Sequence, residues 1–281
     1  MKRNPYKGKF ILLEGIDGSG KTTQTRLLVE RMAREGMTAY QTREPTSDNI
    51  FGKIARFIYM CESLHEKVSA ELEACLQSAE YKALRAMYDE LQLKHITRFE
   101  GIAHEVMLGE YKNLQTFLQL AMIFDRYHHH VDTIIPQLAR GVHVVADRDF
   151  LSTLAYSAGD DIPWRPLLQA HVEILGDAFI APDLTFFIDI PVNIGIERTM
   201  AKQQGKKDYF DTDELLSKIR ARYVELSGSS EIIMHTPVVR IQGSDASSEV
   251  VHELIWPYCR SLIADGDPRH MPIILPKPSH E

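Results

Sequence analysis

Two features of the sequence predict an α/β fold in which helices cover both faces of a parallel sheet. Helical segments, which start for example at Lys21, Val192 and Asp211, alternate with strand-like apolar runs at about 9–14, 37–42, 142–147, 184–190 and 237–241. Such alternation is typical of a parallel sheet between two helical layers. A glycine-rich loop directly after the first run is the second feature. Together they predict a five-stranded sheet of the P-loop NTPase type.

The most informative stretch follows the first strand-like run and fits the phosphate-binding pattern G-x-x-x-x-G-K-[ST] from residue 15 to residue 22. Its glycines allow a loop whose backbone N–H groups point inward at phosphate oxygens, and Lys21 can reach the β- and γ-phosphates. The hydroxyl of Thr22 can bind Mg²⁺. We therefore predict a nucleoside triphosphate site formed by Gly15, Ile16, Asp17, Gly18, Ser19, Gly20, Lys21, Thr22 and Thr23.

Composition limits the partners that the chain is expected to have. A net charge of −7 over 281 residues argues against a nucleic acid polymer, which needs a basic face. The three cysteines, Cys61, Cys75 and Cys259, lie far apart and predict reduced thiols in a cytoplasmic protein. No apolar run approaches the roughly 18 residues of a membrane span, so we expect no membrane partner.

One region interrupts the alternation of strands and helices. Residues 51–119 contain no strand-like run, and a βα crossover normally needs much less chain than this. We predict a helical insertion at 60–112 within a nucleotide-binding core of 1–59 and 113–263. Its expected role is structural or oligomeric, and capping of the substrate pocket is the alternative. Four prolines in residues 264–281 predict an extended or disordered tail.

Charged side chains also follow the second and third predicted strands. Arg43 precedes Pro45, and Asp147 and Arg148 follow the apolar run at 142–146. Ligands of such sheets bind beyond the carboxyl ends of the strands, which places both arginines beside the phosphate loop. Because guanidinium groups bind phosphate through two N–H groups, the pair favours an anion clamp over separate surface salt bridges. A clamp that faces the γ-phosphate predicts a kinase acting on a phosphorylated acceptor.

Short blocks along the chain occur in the order and spacing of one known family: F-I-L-L-E-G-I-D-G-S-G-K-T-T at 10–23, T-R-E-P at 42–45, D-R at 125–126, D-R at 147–148, S-T at 152–153, A-Y-S at 155–157, P-D-L-T at 182–185, E-R at 197–198 and R-A-R-Y at 220–223. They resemble the thymidylate kinases over most of 8–50 and 115–245. The resemblance implies a five-stranded P-loop kinase, usually a homodimer, that transfers phosphate from MgATP to dTMP.

The resemblance also implies roles at the phosphate end of the acceptor. Arg43 and Arg148 would grip the acceptor phosphate, and Asp17 would hold either the sugar 3′-hydroxyl or the region of that phosphate. Asp147 would organise Mg²⁺ together with Thr22. With Lys21, these residues form the expected catalytic centre. Phosphoryl transfer asks for little else, because it depends mostly on positioning and charge neutralisation.

At the base end, the resemblance implies that Arg126 hydrogen-bonds thymine O4, that Thr153 lies near N3 and that Tyr156 lies beneath the deoxyribose. The same blocks add Glu44 and Ser152 to the expected acceptor site. Met122 stands where the family usually has a phenylalanine that stacks on thymine. Methionine can also cover an aromatic face, so the pocket can still bind a pyrimidine base. Because the stacking residue differs from that of the family, the choice of base stays open, and another pyrimidine acceptor, dUMP or a base-modified deoxynucleotide, is the alternative.

The lid at 201–211 departs from the family pattern as well. The family places an arginine on the transferring phosphate from the phosphate loop or from the lid, and neither segment has one here. Lysine supplies the charge without the planar fork, so we expect Lys202, Lys206 or Lys207 to replace the arginine. The departure leaves a nucleotide-binding regulatory protein with little turnover as a second alternative. The loop around 242–244 would lie near adenine.

Three consecutive histidines at 128–130 look like a metal cluster. Consecutive residues of a helix face different directions, so the three cannot all bind one ion there. We expect a solvated or packed helix face instead.

Overall fold

A computed structural model describes residues 1–60, 65–90, 95–108, 114–202, 212–243 and 246–265. Its five strands pair in parallel in the order β2-β3-β1-β4-β5. The strands are β1 Phe10–Glu14, β2 Ala39–Arg43, β3 His143–Asp147, β4 Leu184–Asp189 and β5 Val238–Gln242. Each strand lies within two residues of a predicted run, which confirms the predicted fold class.

Helices connect and cover the strands. The α-helices of the described residues are α1 Lys21–Arg34, α2 Ile50–Met60, α3 His65–Gln77, α4 Ala79–Glu90, α5 His95–Met107, α6 Leu114–His128, α7 Ile135–Ala139, α8 Phe150–Tyr156, α9 Trp164–Leu175, α10 Val192–Lys202, α11 Asp213–Gly228, α12 Ser230–Ile233 and α13 Ser248–Asp265. A π-helical turn, His129–Ile134, continues α6. None of the helices in the described ranges is long and apolar enough to cross a membrane.

The sheet has a hydrophobic core on each face. Along β1, Phe10 and Leu12 belong to the core on one face, whereas Ile11 and Leu13 belong to the core on the other. Side chains of a strand alternate between faces, so a strand that is covered on both sides is apolar at every position. Only the last residue of β1, Glu14, is charged, and it is fully buried.

Strand register brings the polar residues to one edge of the sheet. Leu13 of β1 and Arg43 of β2 both pair with Asp147 of β3, so these three strands end side by side. The phosphate loop leaves β1 at this edge and enters α1. A Cβ atom at Gly15 would lie 2.6 Å from the carbonyl oxygen of Ile188, and φ of this residue is +148°. Only glycine fits this close approach.

Helices α3, α4 and α5 occupy the described part of the predicted insertion. Of these, α4 and α5 pack through one aromatic cluster against α2 and α6, in which the ring of Phe51 lies 5.3 Å from that of Phe99 and 5.1 Å from that of Phe124. Phe99 and its neighbours Tyr81 and Tyr88 are buried in the same core as the sheet residues. The helices therefore continue the main core, and the bounds of 60–112 stay a prediction.

Candidate active site

A cavity of about 830 Å³ opens beyond the carboxyl ends of the strands. The phosphate loop forms its floor, and the two sides differ in character. One side combines the end of β2 with α6 and α8 and contains Arg43, Glu44, Met122, Arg148, Ser152, Thr153 and Tyr156. The other side combines α1, α10 and the start of α13 and contains Gln24, Arg198, Lys202, Gly243, Ala246, Ser248 and Val251.

Lys21 lies at the centre of the phosphate loop and is 5% exposed. Its Nζ atom donates to the carbonyl oxygens of Gly15 at 3.0 Å and Ile16 at 2.9 Å. Burial and the nearby charge of Arg148 lower the pKa of Lys21 to about 8. The ammonium group is therefore held inside the loop, where it can meet an incoming phosphate.

Thr22 and Asp147 form the candidate metal site. The hydroxyl of Thr22 donates to Oδ2 of Asp147 at 2.5 Å, whereas Oδ1 of Asp147 is buried without a hydrogen-bond partner. A buried carboxylate oxygen without a partner is costly unless a cation or water satisfies it. Hydroxyl and carboxylate oxygens are ligands that Mg²⁺ prefers. The two residues therefore fit Mg²⁺, and the metal site stays a prediction.

Arg148 connects the phosphate loop to the acceptor side of the cavity. Its NH2 donates to Oδ1 of Asp17 at 2.6 Å and to the hydroxyl of Tyr156 at 2.8 Å, and the same hydroxyl donates to Oδ2 of Asp17 at 2.7 Å. Burial alone would raise the pKa of Asp17, but the charges of Arg148 and Lys21 outweigh it and lower the pKa. Asp17 is thus held ionised between two cations.

The backbone of Arg148 adopts φ +74°, a left-handed conformation that non-glycine residues seldom occupy. Such a conformation costs about 1–3 kcal/mol and persists where the surroundings enforce it. Here it turns the chain sharply between β3 and α8, so that the guanidinium points back over the phosphate loop. Arg148 thus lies beside the loop at the cavity, and its part in an anion clamp stays a prediction.

Glu44 and Arg126 take part in a buried network behind the acceptor side. Arg126 is fully buried and donates to Oε2 of Glu44, to the hydroxyl of Thr153 at 3.1 Å and to Nε2 of His171 at 2.5 Å. It does not line the cavity. The direct hydrogen bond from Arg126 to thymine O4 that the resemblance implied is therefore not supported, because the guanidinium is committed to internal partners behind Thr153.

All three histidines of the 128–130 run are buried, and each has a different partner. His128 pairs with Asp132, His129 with Glu44 at 2.9 Å and His130 with Asp149 at 3.0 Å. The π-helical turn lets neighbouring histidines both face inward. Of the two expectations for this run, a solvated or a packed helix face, the packed one is confirmed. The described residues hold no cluster of metal-ligating side chains.

Helix α10 carries two cations to the other side of the cavity. Arg198 and Lys202 stand four residues apart on this helix, and both line the cavity. Lys206 and Lys207 lie outside the described residues. Arg198 belongs to one of the family blocks, but we did not predict a role for it from the sequence. Its i, i+4 spacing from Lys202 was the available signal, because residues four apart lie on the same face of a helix.

Arg56 of α2 was also missed. It lines the acceptor side, and its guanidinium donates to the carbonyl oxygens of Pro45 and of Thr46, the latter at 3.0 Å. Burial and the neighbouring charge of Arg43 lower the pKa of Arg56. No pattern near residue 56 indicated this position, since the contact depends on how α2 folds back onto the turn after β2.

The fold and the cavity define a P-loop phosphotransferase whose two ligand-binding sides meet at the phosphate loop. The sequence model of the family described as "Thymidylate kinase" matches residues 13–97 and 82–238. The chain therefore belongs to the thymidylate kinase family. The two matched segments overlap at 82–97, within the predicted insertion. The blocks that carry the resemblance did not include the insertion, and the overlapping match does not define where the insertion begins or ends.

Individual relatives agree. The chain is 32% identical over 252 residues to the probable thymidylate kinase of Pyrococcus horikoshii, with 88% of this chain and 93% of that protein covered. It is 31% identical over 252 residues to the probable thymidylate kinase of Pyrococcus abyssi, with the same coverage. It is also 27% identical over 248 residues to the thymidylate kinase of Leptospira interrogans, covering 88% of this chain and 91% of that one.

Proposed function

We propose that this chain transfers the γ-phosphate of ATP to dTMP and yields ADP and dTDP. One observation carries the proposal beyond the family relationship: Arg148, Asp17 and Tyr156 form a hydrogen-bonded group over the phosphate loop, on the side of the cavity opposite α10. A hydrolase would need only water there. An arginine fixed over the loop suits a second phosphate, because guanidinium binds phosphate oxygens through paired N–H groups.

The donor end of the cavity would hold ATP. Lys21 neutralises charge on the β- and γ-phosphates, and the backbone N–H groups of the loop bind their oxygens. The side formed by Gln24, Gly243 and Val251 receives the adenine. Thr22 and Asp147 would hold Mg²⁺, which would supply positive charge against the negative charge that develops on the phosphate groups.

The acceptor end aligns the attacking oxygen. Arg148 and Arg43 hold the phosphate of dTMP, while Asp17 and Tyr156 face the sugar. An oxygen of the acceptor phosphate attacks the γ-phosphorus as the bond to the bridging oxygen of ADP breaks. Charge on the moving phosphoryl group is then neutralised by Lys21 and by the lid, for which Lys202, Lys206 and Lys207 remain the proposed cations and Arg198 joins them.

The base end is the least constrained part of the proposal. Met122 is 4% exposed and lines the cavity beside Thr153, whose hydroxyl is held by Arg126 from behind. We propose that Met122 covers the base in place of the family's phenylalanine. Family membership does not favour the alternatives, a kinase of dUMP or of a base-modified deoxynucleotide, or a regulatory protein with little turnover.

A coupled assay of ADP release tests the proposal. The purified chain is given MgATP and, in separate reactions, dTMP, dUMP, dCMP and UMP. We expect the largest kcat/KM with dTMP. ADP release that no monophosphate raises above the rate of ATP hydrolysis in water would contradict the kinase function, and a clear preference for dUMP would move the proposal to that acceptor.

We further propose that the enzyme acts in the cytoplasm as a homodimer. Sedimentation analysis over a range of protein concentrations tests the dimer. Helices of the same chain bury α6 along almost its whole length. The interface of a homodimer would therefore have to lie on a surface other than α6.

A further inference from the structure

Glu14 is a fully buried carboxylate at the end of β1, directly before the phosphate loop, and the mechanism above gives it no part. It accepts four hydrogen bonds. Oε1 accepts from the backbone N–H of Asp149 at 2.9 Å and of Ser152 at 3.2 Å. Oε2 accepts from the hydroxyl of Ser152 at 2.6 Å and of Tyr223 at 2.9 Å. A buried carboxylate with this many donors is fixed in position.

These contacts surround Arg148. The N–H of Arg148 donates to the carbonyl oxygen of Leu13 at 3.0 Å, and the N–H of the next residue, Asp149, donates to Glu14. The last two residues of β1 therefore hold the amides on both sides of the residue with φ +74°. They provide the surroundings that a left-handed arginine requires.

The side chain of Arg148 is tied to the same carboxylate. Its NH1 donates to the hydroxyl of Ser152 at 3.0 Å, and that hydroxyl donates onward to Glu14. The carboxylate thus orients the backbone of Arg148 directly and its guanidinium through Ser152. Removing it would leave Ser152 free to rotate its hydroxyl away from the arginine.

Tyr223 extends the connection to α11. Its hydroxyl contacts both Glu14 and Ser152 at 2.9 Å, and its ring stacks on Phe187 at 5.3 Å. Tyr223 is 1% exposed, so this hydroxyl faces no solvent. Helix α11 begins at Asp213, two residues after the lid segment at 201–211. One carboxylate therefore joins the end of β1, the acceptor arginine and the helix that follows the lid.

We propose that Glu14 is a positioning residue that sets Arg148 in the geometry required to grip the acceptor phosphate, an inference that rests on the proposed kinase function. Glu14 does not line the cavity. It acts on the acceptor through Asp149 and Ser152, which follow Arg148 where the chain turns into α8. ATP binding depends on Lys21, whose Nζ atom donates to the carbonyl oxygens of Gly15 and Ile16, and on the N–H groups of the loop, whereas Glu14 accepts its hydrogen bonds from α8, α11 and the residue before α8.

The test is the effect of Glu14→Gln on dTMP compared with ATP. The amide keeps the shape of the side chain, and its oxygen can still accept from the backbone N–H groups of Asp149 and Ser152. Its N–H₂ group, however, takes the place of the oxygen that accepts from the hydroxyls of Ser152 and Tyr223, so both hydroxyls must turn to new partners. Loss of this acceptor for two buried hydroxyls is expected to lower kcat/KM for dTMP by about 10- to 100-fold. KM for ATP is expected to stay within about twofold of the wild-type value, since the phosphate loop is unchanged.

Thr185→Val is the matched control. It removes a buried hydrogen bond of 2.9 Å, between Thr185 and Thr236, from the neighbouring strand β4 and away from the cavity. We expect this variant to lose stability without losing acceptor kinetics. If Glu14→Gln fails to fold, Tyr223→Phe takes its place, because it removes a single donor from Glu14 and keeps the stacked ring. We expect it to lower kcat/KM for dTMP by about 2- to 10-fold.

The outcomes separate this inference from the proposed function. A wild-type chain without dTMP kinase activity would overturn the function. An active wild-type chain whose Glu14 and Tyr223 variants have the same dTMP kinetics as Thr185→Val would overturn only the positioning role. Calorimetric titration with dTMP in the absence of ATP gives an independent readout, in which Glu14→Gln is expected to weaken dTMP binding and Thr185→Val is not.

Discussion

Removal of the Arg148 guanidinium is expected to lower kcat/KM for dTMP by about 10²- to 10⁴-fold. The guanidinium already makes hydrogen bonds of 2.6 Å to Asp17, 2.8 Å to Tyr156 and 3.0 Å to Ser152, so its orientation is fixed before the acceptor binds. A bidentate grip on phosphate consists of two charge-assisted hydrogen bonds, each worth about 1.5–3 kcal/mol. Their loss removes about 3–6 kcal/mol of transition-state stabilisation, which gives the stated range.

Two variants separate the side chain from the backbone. Glycine adopts the φ of +74° at residue 148 without strain, whereas alanine at this position keeps a cost of about 1–2 kcal/mol. Arg148→Gly and Arg148→Ala are therefore expected to show the same loss of kcat/KM although the glycine variant unfolds at a higher temperature. Arg26→Ala is the matched control, because Arg26 is an exposed arginine of α1 paired with Glu30.

The assay is coupled ADP release at saturating MgATP with dTMP varied. We expect both Arg148 variants to raise KM for dTMP and to lower kcat, since the clamp binds the acceptor and also aligns it. Wild-type KM in both variants would refute the clamp. A loss confined to Arg148→Ala would assign the effect to the backbone turn instead of the guanidinium.

Three further perturbations test other parts of the account. Burial and the charge of Arg148 lower the pKa of Lys21 to about 8, so the ammonium loses its proton as pH rises through this value, and ATP binding should weaken. Bound ATP raises this pKa again, so ATP binding takes up a proton, which calorimetry in buffers of different ionisation enthalpy detects. An ATP affinity that is unchanged from about pH 7 to about pH 9.5 would contradict this reasoning. The triple variant of Lys202, Lys206 and Lys207 to Ala should lower kcat by about 10²-fold or more and leave ATP affinity nearly intact; wild-type kcat would direct attention to Arg198. Phe99→Ala should cost about 3–5 kcal/mol of stability in chemical denaturation, because Phe99 is fully buried between α5 and α6; a cost below about 1 kcal/mol would show that the insertion helices do not share the main core.

Much of the fold could be predicted from the sequence because its signals are local. A run such as Phe10–Glu14 is apolar at nearly every position since both faces of the sheet are covered, and the loop pattern places Lys21 and Thr22 by spacing alone. The strand ends then bring Arg43 and Asp147 to one edge of the sheet. These predictions needed only the rule that ligands bind beyond the carboxyl ends of parallel strands.

The contacts that the sequence could not predict are those between distant segments. Arg126 was expected at the base, but its charge is balanced by Glu44 and Asp149, which lie 82 and 23 residues away and meet it only in the fold. The motif at 10–23 includes Glu14, but the sequence predicted no role for this residue, because its hydrogen-bond partners lie far along the chain on α8 and α11. A motif specifies which residues are present, whereas burial and pairing decide which of them face the ligand.

The most direct test of the central claim follows the phosphate itself. The chain is incubated with MgATP labelled at the γ-position and with unlabelled dTMP, and the products are separated by chromatography. The account predicts that the label appears in dTDP, with a rate that falls to background in Lys21→Ala, because this change removes the cation on the β- and γ-phosphates. Label that appears only as inorganic phosphate, at a rate independent of dTMP, would contradict the account.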